Sequence, residues 1–350
     1  MSEQTSSSLL HVGVAPHIKH PDTVPSIMLS VAMALGPALA ASVYFFGVRA
    51  LLLTMVSVAA CLITEWAIVR FMLKRPSTLG DYSALVTGLL LAFNLPYDLP
   101  VWLAALGSVF AIAVAKWAFG GLGSNFINPA LAGRAFLTAS YPAAMTTFGV
   151  PQGWAARGWT INGMQAVEGI TGATPLAALK ETTAAGTFEA LDFQAALPEL
   201  FFGNIGGCLG ETSAAALLLG AVFLLYKRII SFRIPVCYIG TVFLLSWVFN
   251  GTTQQLFTTE SLIVPVYQVL AGGLMLGALF MATDMVTSPV TPVGKAIFGC
   301  GCGILTFLIR KFGGYPEGVS YSILLMNLAV PHIDRHTAPR VYGASKATKP

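Results

Sequence analysis

Long apolar stretches alternate with short polar connections along most of the chain. Since a membrane-spanning helix needs about 20 mostly apolar residues, these stretches predict ten spans. They cover residues 26–47, 49–73, 82–96, 100–119, 128–141, 200–226, 234–250, 263–281, 295–310 and 319–333. The third, fifth and tenth are short, which is typical of half-helices that end inside a membrane. Such helices are tolerated where the freed backbone is buried in protein or lines a cavity.

The two halves of the chain resemble each other weakly. Residues 84–94 (ALVTGLLLAFN) of the third span are similar to residues 269–279 (VLAGGLMLGAL) of the eighth, and a polar segment with proline follows each. Two units of five spans must lie in opposite orientations, as in many transporters. The predicted fold is an all-α integral membrane protein of about ten transmembrane helices, in two inverted five-helix repeats with half-helices. Chance similarity between apolar helices is the alternative explanation of this resemblance between the two halves.

Composition supports the membrane prediction. Of the 350 residues, 55% are hydrophobic and 10% charged, whereas about a quarter of a soluble domain is charged. The formal charge of +4 includes no basic stripe with interleaved aromatic residues, so nucleic acid is not expected as a partner. The cysteines lie in apolar segments without a CxxC pair, and no metal site is predicted from them.

Basic residues gather in the connections on one side of the predicted spans, which orients the chain with both termini in the cytoplasm. The predicted parts are a cytoplasmic segment (1–25), a first membrane half (26–141), an outer loop (142–198), a second membrane half (199–333) and a cytoplasmic tail (334–350). Arg70, Lys116 and Arg134 fall within spans near their inner ends, where long side chains could extend to the interface.

The outer loop contains the string Thr171-Gly172-Ala173-Thr174-Pro175. Proline disfavours helical geometry at the preceding residue, which leaves Thr174 extended. Its small neighbours would not block the hydroxyl, so Thr174 is a plausible acceptor for a bulky group. A simple turn around Gly172 is the alternative interpretation.

Two acidic residues lie deep in apolar sequence, Glu65 in the second predicted span and Glu211 in the sixth. Ionisable groups inside a membrane are functional candidates by default, so both are candidates for ion translocation. Each could instead pair with a basic neighbour or lie near a wet interface.

Three strings, taken together, resemble a known family. They are FGGLGSNFINPA at 119–130, TGATPL at 171–176 and MATDMVTSP at 281–289. In this order they are similar to the family of the D subunit of the Rnf ion-translocating electron-transport complex, a relative of the B subunit of sodium-pumping NADH:quinone reductase. The resemblance covers about residues 26–342, and the short chain fits the Rnf member better.

The resemblance implies two flavins. The first is FMN, bonded through its phosphate to Thr174 by a flavin transferase on the outer side of the membrane. The family usually has serine where this chain has Thr171. The second is a non-covalent flavin, riboflavin, for which we expect a site near Asn125, Asn128, Asp284 and Thr287. The glycines before Asn125 would permit close backbone approach, although a tight loop capped by Asn128 explains the same residues.

The resemblance further implies a role in a larger complex of a bacterial or archaeal cytoplasmic membrane. The chain would pass electrons in ferredoxin:NAD electron transfer coupled to Na⁺ or H⁺ translocation, and it would not be catalytic alone. Expected partners are other membrane subunits, a second covalent-FMN subunit, and iron–sulfur and NADH-binding subunits. The alternative function is a cofactor-free channel or secondary transporter with an inverted-repeat fold, but such a protein has no need of the loop with Thr174.

Overall fold

The computed structural model describes residues 22–149, 174–185, 193–250, 259–314 and 317–339. Within these residues the regular structure is helical, and an isolated antiparallel bridge joins Pro96 and Cys208. In order, the helices are α1 (Val24–Ala34), α2 (Gly36–Phe46), α3 (Val48–Ala67), α4 (Ser83–Phe93), α5 (Val101–Phe110), α6 (Pro129–Ser140), α7 (Pro142–Thr146), α8 (Pro175–Ala185), α9 (Phe193–Phe202), α10 (Ala214–Tyr226), α11 (Arg233–Asn250), α12 (Thr259–Leu270), α13 (Leu274–Leu276), α14 (Pro292–Phe312) and α15 (Val319–Thr337).

Three π-helical turns extend helices of this set. They are Ile68–Met72 after α3, Ala111–Trp117 after α5 and Gly277–Met281 after α13. A 3₁₀ turn at Leu79–Asp81 precedes α4. Because π-helical turns are rare and frequently lie at functional sites, their positions are informative here.

Several of the described helices are suited to a membrane. Val24–Phe46, Val48–Met72 and Pro292–Phe312 are long and apolar enough to cross one, and Leu262–Leu270 with Leu274–Met281 forms a further apolar pair bent by 67°. Large apolar side chains also cover the outside of the bundle, as on α10, where Leu219 and Val222 are exposed. The coarse prediction of an all-helical protein with membrane-spanning helices therefore agrees with the structure.

The two halves of the chain use similar helix contacts. In the first half α3 packs against α4 and α5, and α5 packs against α6; in the second half α11 packs against α12 and α14, and α14 packs against α15. Glycine permits the closest contacts. A Cβ on Gly88 would lie 2.7 Å from Val58 Cα, and one on Gly299 would lie 2.9 Å from Ile234 O. Small residues allow helix backbones to approach in this way in membrane proteins.

The prediction of one continuous span at 200–226 is wrong. Helix α9 ends at Phe202, residues 203–213 are irregular, and α10 begins at Ala214. The irregular segment bonds instead to the chain after α4, with Leu209 N donating to Leu95 O at 3.0 Å and Gly210 N donating to Phe93 O at 2.9 Å. A Cβ on Gly210 would collide with Phe93, so glycine is required for this pairing. Hydropathy does not distinguish such a buried segment from a helix.

Predicted span lengths were correct in part. Helices α4 and α6 are short, with 11 and 12 residues. The tenth span was predicted to be short but α15 has 19 residues, because its polar last turns continue the helix to Thr337. The predicted eighth span is broken between Leu270 and Leu274, where Gly272 has a positive φ of 69°. Glycine adopts this left-handed conformation without steric cost.

Candidate functional site

Thr174 begins helix α8 and is buried against the bundle. Its side chain is 6% exposed, and its hydroxyl accepts a hydrogen bond from Ala177 N at 3.2 Å. Tyr267 Oη donates to Pro175 O at 3.0 Å, and Lys180 Nζ donates to Gly313 O. Thr174 is therefore the N-cap of a docked helix rather than an exposed residue of a free loop. Thr171, Gly172 and Ala173 lie outside the described residues.

A cavity of about 390 Å³ lies beside Thr174, and we name it the Thr174 cavity. This volume is within the range of small-molecule sites, roughly 300–1,000 Å³. Polar and apolar groups share its wall, the principal ones being Arg134, Thr138, Met145, Phe148, Thr174, Glu181, Glu317 and Tyr321. The cavity therefore has room and chemistry for a ligand attached to the threonine.

A buried arginine with two carboxylates borders the Thr174 cavity. Arg134 Nη1 donates to Glu211 Oε1 at 3.1 Å and to Asn94 Oδ1 at 2.7 Å. Arg134 Nη2 donates to Glu317 Oε2 and approaches Cys208 Sγ at 3.6 Å. The predicted ion candidate Glu211 thus lies in an ion-paired cluster. Both Glu211 and Glu317 also border a second, smaller recess at Thr174.

Sequence reasoning did not identify Arg134, Cys208 or Glu317 as site residues. Arg134 was expected to extend to the membrane interface, but it is buried and paired, so that expectation is wrong. Glu317 lies 183 positions from Arg134 along the chain, and no local pattern marks such a contact. The available signal was the charge itself, since an arginine inside apolar sequence requires partners.

A second cavity, of about 90 Å³, lies among α4, α6 and the connection after Met281. We name it the Asp284 cavity. It brings together three of the four residues predicted for the second flavin, Asn125, Asn128 and Asp284. The fourth, Thr287, donates from its hydroxyl to Asp284 Oδ2 at 3.0 Å. Burial raises the pKa of the Asp284 carboxyl above its usual range.

Asn125 and Asn128 play different parts at the Asp284 cavity. Asn128 Oδ1 accepts from Ala130 N at 3.0 Å and from Leu131 N at 3.4 Å, so it caps α6, while its Nδ2 donates to Met281 O at 3.4 Å. Asn125 Oδ1 is buried and has no hydrogen-bond partner among the described residues. A buried polar atom without a partner is costly, and a ligand in the cavity would satisfy it.

Glu65 contacts the wall of the Asp284 cavity through Lys116. The Lys116 ammonium lies 2.8 Å from Glu65 Oε2, and both side chains are buried. Lys116 lines the cavity, whereas Glu65 does not. The expectation that Lys116 extends to the interface is therefore wrong, and the alternative of a basic partner for Glu65 is what the structure contains.

Helix α6 passes both cavities. Asn128, at its start, lines the Asp284 cavity, and Thr138, near its end, lines the Thr174 cavity. At about 1.5 Å of rise per residue, these positions are roughly 15 Å apart along the helix axis. Arg134 lies between them. The predicted flavin residues therefore fall into two groups, one at each of the two cavities that α6 lines.

Comparison with known proteins identifies the relatives of this chain. The model of the NQR2, RnfD, RnfE family matches residues 11–343. The chain is 45% identical to the D subunit of the Na⁺-translocating ferredoxin:NAD⁺ oxidoreductase complex of Acetobacterium woodii, over 97% of each chain. It is 44% identical to the D subunit of the proton-translocating ferredoxin:NAD⁺ oxidoreductase complex of Clostridium ljungdahlii, over 98% of this chain and 99% of the relative. A third relative, the D subunit of the ion-translocating oxidoreductase complex of Stutzerimonas stutzeri, is 41% identical over 94% of each chain. The resemblance inferred from the three strings is confirmed, and this chain belongs to the NQR2, RnfD, RnfE family.

Proposed function

We propose that this chain is the membrane redox subunit of an ion-translocating ferredoxin:NAD oxidoreductase complex and that it carries FMN bonded through its phosphate to Thr174. The relatives that it matches over nearly their whole length are named as the D subunits of such complexes. The other activities belong to partners: further membrane subunits, a second covalent-FMN subunit, and iron–sulfur and NADH-binding subunits. A flavin transferase attaches the FMN.

The observation that carries this proposal is the position of the Thr174 hydroxyl, at the start of α8 and at the edge of the Thr174 cavity. The N-terminus of an 11-residue helix favours a phosphate, because its backbone N–H groups and its dipole attract negative charge. A cavity of about 390 Å³ lies within reach of that position. A flavin supplies one- and two-electron chemistry, while the protein orients it and tunes its environment.

The residues of the Thr174 cavity fit a polar ring system with apolar faces. Arg134 contributes a positive charge. Hydrogen bonds to Asn94, Glu211 and Glu317 fix the orientation of its guanidinium group. Thr138 and Tyr321 line the wall with hydroxyl-bearing side chains, and Met145 and Phe148 provide apolar surface. Such preformed sites, mostly apolar with a few fixed polar groups, are typical of cofactor binding.

For the non-covalent flavin we propose the Asp284 cavity. Asn125 Oδ1, which has no partner among the described residues, supports this site, because riboflavin carries donors that an amide oxygen can accept from. Asp284 and Asn128 add further polar groups to the same wall. Since 90 Å³ is less than a flavin needs, binding requires that the segments around Asn125 and Asp284 move apart.

We also propose the orientation expected from the basic residues, with both termini in the cytoplasm and Thr174 on the outer side. The similar helix contacts of the two halves support two inverted repeats. The broken helices and the irregular segment 203–213 lie at the cluster of Arg134, as expected where the backbone of a transporter-like fold surrounds a site.

The relatives do not determine which ion is moved. One named for Na⁺ and one named for protons are 45% and 44% identical to this chain, so overall similarity is nearly the same for both. Glu65 and Glu211 remain our candidates for ion translocation, because each is a carboxylate held in the interior by a basic partner.

Fluorescence of the denatured protein tests the covalent flavin. The chain is expressed with a flavin transferase, separated on a denaturing gel and viewed under ultraviolet light. We expect a fluorescent band for the wild-type chain and for Thr171→Ala, and none for Thr174→Ala. A dark wild-type band, beside a known acceptor that is modified by the same transferase, would refute the Thr174 assignment and favour the cofactor-free transporter.

A further inference from the structure

Lys116 is a buried cation on the wall of the Asp284 cavity. Its side chain is 2% exposed, and its ammonium donates to Glu65 Oε2 at 2.8 Å and to Ser83 Oγ at 2.6 Å. Lys116 and Ser83 line the cavity together. Lys116 belongs to the π-helical turn Ala111–Trp117. The π-helical turn Gly277–Met281 reaches the same cavity through Phe280.

Hydrogen bonds extend from Lys116 toward the surface of the bundle. Ser83 Oγ donates to Asp81 Oδ1 at 2.6 Å, and Thr78 Oγ1 donates to Glu65 Oε1 at 2.9 Å. Thr78 precedes the 3₁₀ turn before α4, Asp81 is its last residue, and both are partly exposed. Glu65 itself is fully buried. Polar contacts thus run from the partly exposed Asp81 to the interior pair of Lys116 and Glu65.

The acidic groups around Lys116 reach it in different ways. Glu65 contacts the ammonium from α3, Asp81 acts through Ser83, and Asp284 lies on the wall of the same cavity. The thiol of Cys61 on α3 also lies close enough to interact with Lys116. Because the interior is poorly screened, a negative charge that enters the cavity interacts strongly with an ammonium on its wall. It then competes with Glu65 for the same cation.

We propose that Lys116 sets the reduction potential of a redox ligand in the Asp284 cavity and that Glu65 modulates this effect by partly neutralising the ammonium. The inference rests on the proposed flavin site in this cavity. A ligand that gains negative charge on reduction is stabilised by Lys116 and is stabilised more when Glu65 is neutral. By linkage, a reduced ligand weakens the hold of Lys116 on Glu65 to the same extent. Glu65, which acts through Lys116, is a positioning residue in this scheme.

Potentiometric titration of bound riboflavin tests the proposal. The full chain is purified from cells without a flavin transferase, so that riboflavin is the flavin observed, and its spectrum is followed against potential. In Lys116→Met we expect the ratio of reduced to oxidised affinity to fall at least about tenfold, which lowers the potential by about 30 mV for a two-electron couple. In Glu65→Gln we expect a smaller rise, because Glu65 neutralises the ammonium only in part. The potential of the double variant should lie below that of the wild type and above that of Lys116→Met.

The potential should shift in opposite directions in Lys116→Met and Glu65→Gln, and this distinguishes an electrostatic role of the pair from a structural one. Loss of packing would shift both single variants in the same direction, and that result, or no shift in either, overturns the proposal. Ser108→Ala is the matched control, because Ser108 lies on α5, bonds Ser57 at 2.9 Å and does not line the cavity. Its potential should equal that of the wild type.

Removing one partner of a buried ion pair is strongly destabilising, so Lys116→Met alone could fail to fold. In that case the proposal is tested by comparing Glu65→Gln with the double variant. The double variant must have the lower reduction potential, and equal potentials overturn the proposal. A wild-type chain that binds no riboflavin refutes the flavin site and, with it, this inference. A chain that binds riboflavin without these shifts refutes the inference alone.

Discussion

Asn94 Oδ1 accepts a 2.7 Å hydrogen bond from Arg134 Nη1, which joins the end of α4 to the middle of α6. The amide nitrogen of Asn94 donates to Leu90 O at 2.6 Å and lies 3.5 Å from Met281 Sδ. Met281 O accepts from Asn128 at the Asp284 cavity. Asn94 therefore lies between the two cavities and holds Arg134 toward the one that contains Thr174.

The first prediction concerns Arg134. Replacing Arg134 with Met leaves the buried Glu211 and the partly buried Glu317 without their shared cation. Breaking a buried pair on one side costs about 3–5 kcal/mol, so we expect a clearly lower unfolding temperature in detergent. Size-exclusion chromatography after heating, with the protein detected by fluorescence, measures this temperature.

Two further variants show whether the lower unfolding temperature of Arg134→Met comes from the loss of this buried charge. Arg134→Lys keeps the charge but not the planar fork that bonds several acceptors, so its stability should lie between those of Arg134→Met and the wild type. Arg70→Met removes an exposed arginine and should leave the unfolding temperature unchanged. An Arg134→Met chain as stable as the wild type would show that this cluster does not stabilise the bundle.

The second prediction compares two glycines. A Cβ on Gly273, at the break between α12 and α13, would collide with Glu211 Oε1. Gly273→Ala must therefore displace the carboxylate from Arg134 and should destabilise the chain. Gly240, within α11, has no heavy atom within 4 Å of the position that a Cβ would occupy. Gly240→Ala should be neutral or stabilising by up to about 1 kcal/mol, because alanine favours helix.

Thermal unfolding of the two alanine variants, side by side, checks this comparison. Equal unfolding temperatures would mean that Glu211 has room to move away from Gly273. In that case the close fit of Glu211, Gly273 and Arg134 would not constrain the site.

Much of this architecture follows from local sequence. Apolar runs correctly placed α3, α4, α11 and α14, because length and hydropathy are sufficient for a membrane helix. They did not reveal the irregular segment 203–213, since the backbone there is satisfied by bonds to Leu95 and Phe93, more than a hundred positions away in sequence. The cluster around Arg134 was missed for the same reason. Its members come from four separate segments of the chain.

The residues predicted to bind flavin also show what local sequence does not reveal. Three strings indicated Thr174, Asn125 and Asp284, and the structure places the last two at one cavity and Thr174 at another. The sequence suggested an accessible threonine, whereas Thr174 is buried as a helix cap. Docking of α8 depends on bonds from Tyr267 and Lys180 to backbone carbonyls, which no local pattern indicates.

The third prediction is a pH dependence at Asp284, in the connection between Met281 and Pro292. Burial raises the pKa of its carboxyl in the folded state, so the charged form opposes folding. Its unfavourable contribution is absent below the unfolded value of about 3.9 and grows as pH rises toward and through the folded pKa. Asp284→Asn removes the charge and keeps one of the two oxygens, which can accept from Val286 N or from Thr287 Oγ1.

We therefore expect Asp284→Asn to unfold at a higher temperature than the wild type at pH 7, in the absence of ligand. The difference should shrink as pH falls toward the unfolded pKa and vanish below about pH 3, where both states of the wild type carry the proton. Unfolding temperatures measured at several pH values check this. A difference that is constant with pH would show that the substitution acts through packing rather than through charge.

The last prediction compares alanine substitutions of the two asparagines at the Asp284 cavity, by riboflavin affinity and by stability. Asn125→Ala removes an oxygen that has no partner among the described residues and a 3.2 Å hydrogen bond from Nδ2 to Ile127 O, so the ligand-free chain should lose at most about 0.5–1.5 kcal/mol of stability. A hydrogen bond from the ligand to that oxygen contributes about 0.5–1.5 kcal/mol, so riboflavin should bind roughly 2- to 12-fold more weakly. Asn128→Ala removes the cap of α6, which costs about 0.5–2 kcal/mol of stability. Quenching of riboflavin fluorescence gives the affinities, and thermal unfolding gives the stabilities. If Asn125→Ala binds riboflavin as tightly as the wild type, the Asn125 oxygen does not contact it, and the flavin site lies elsewhere in the bundle.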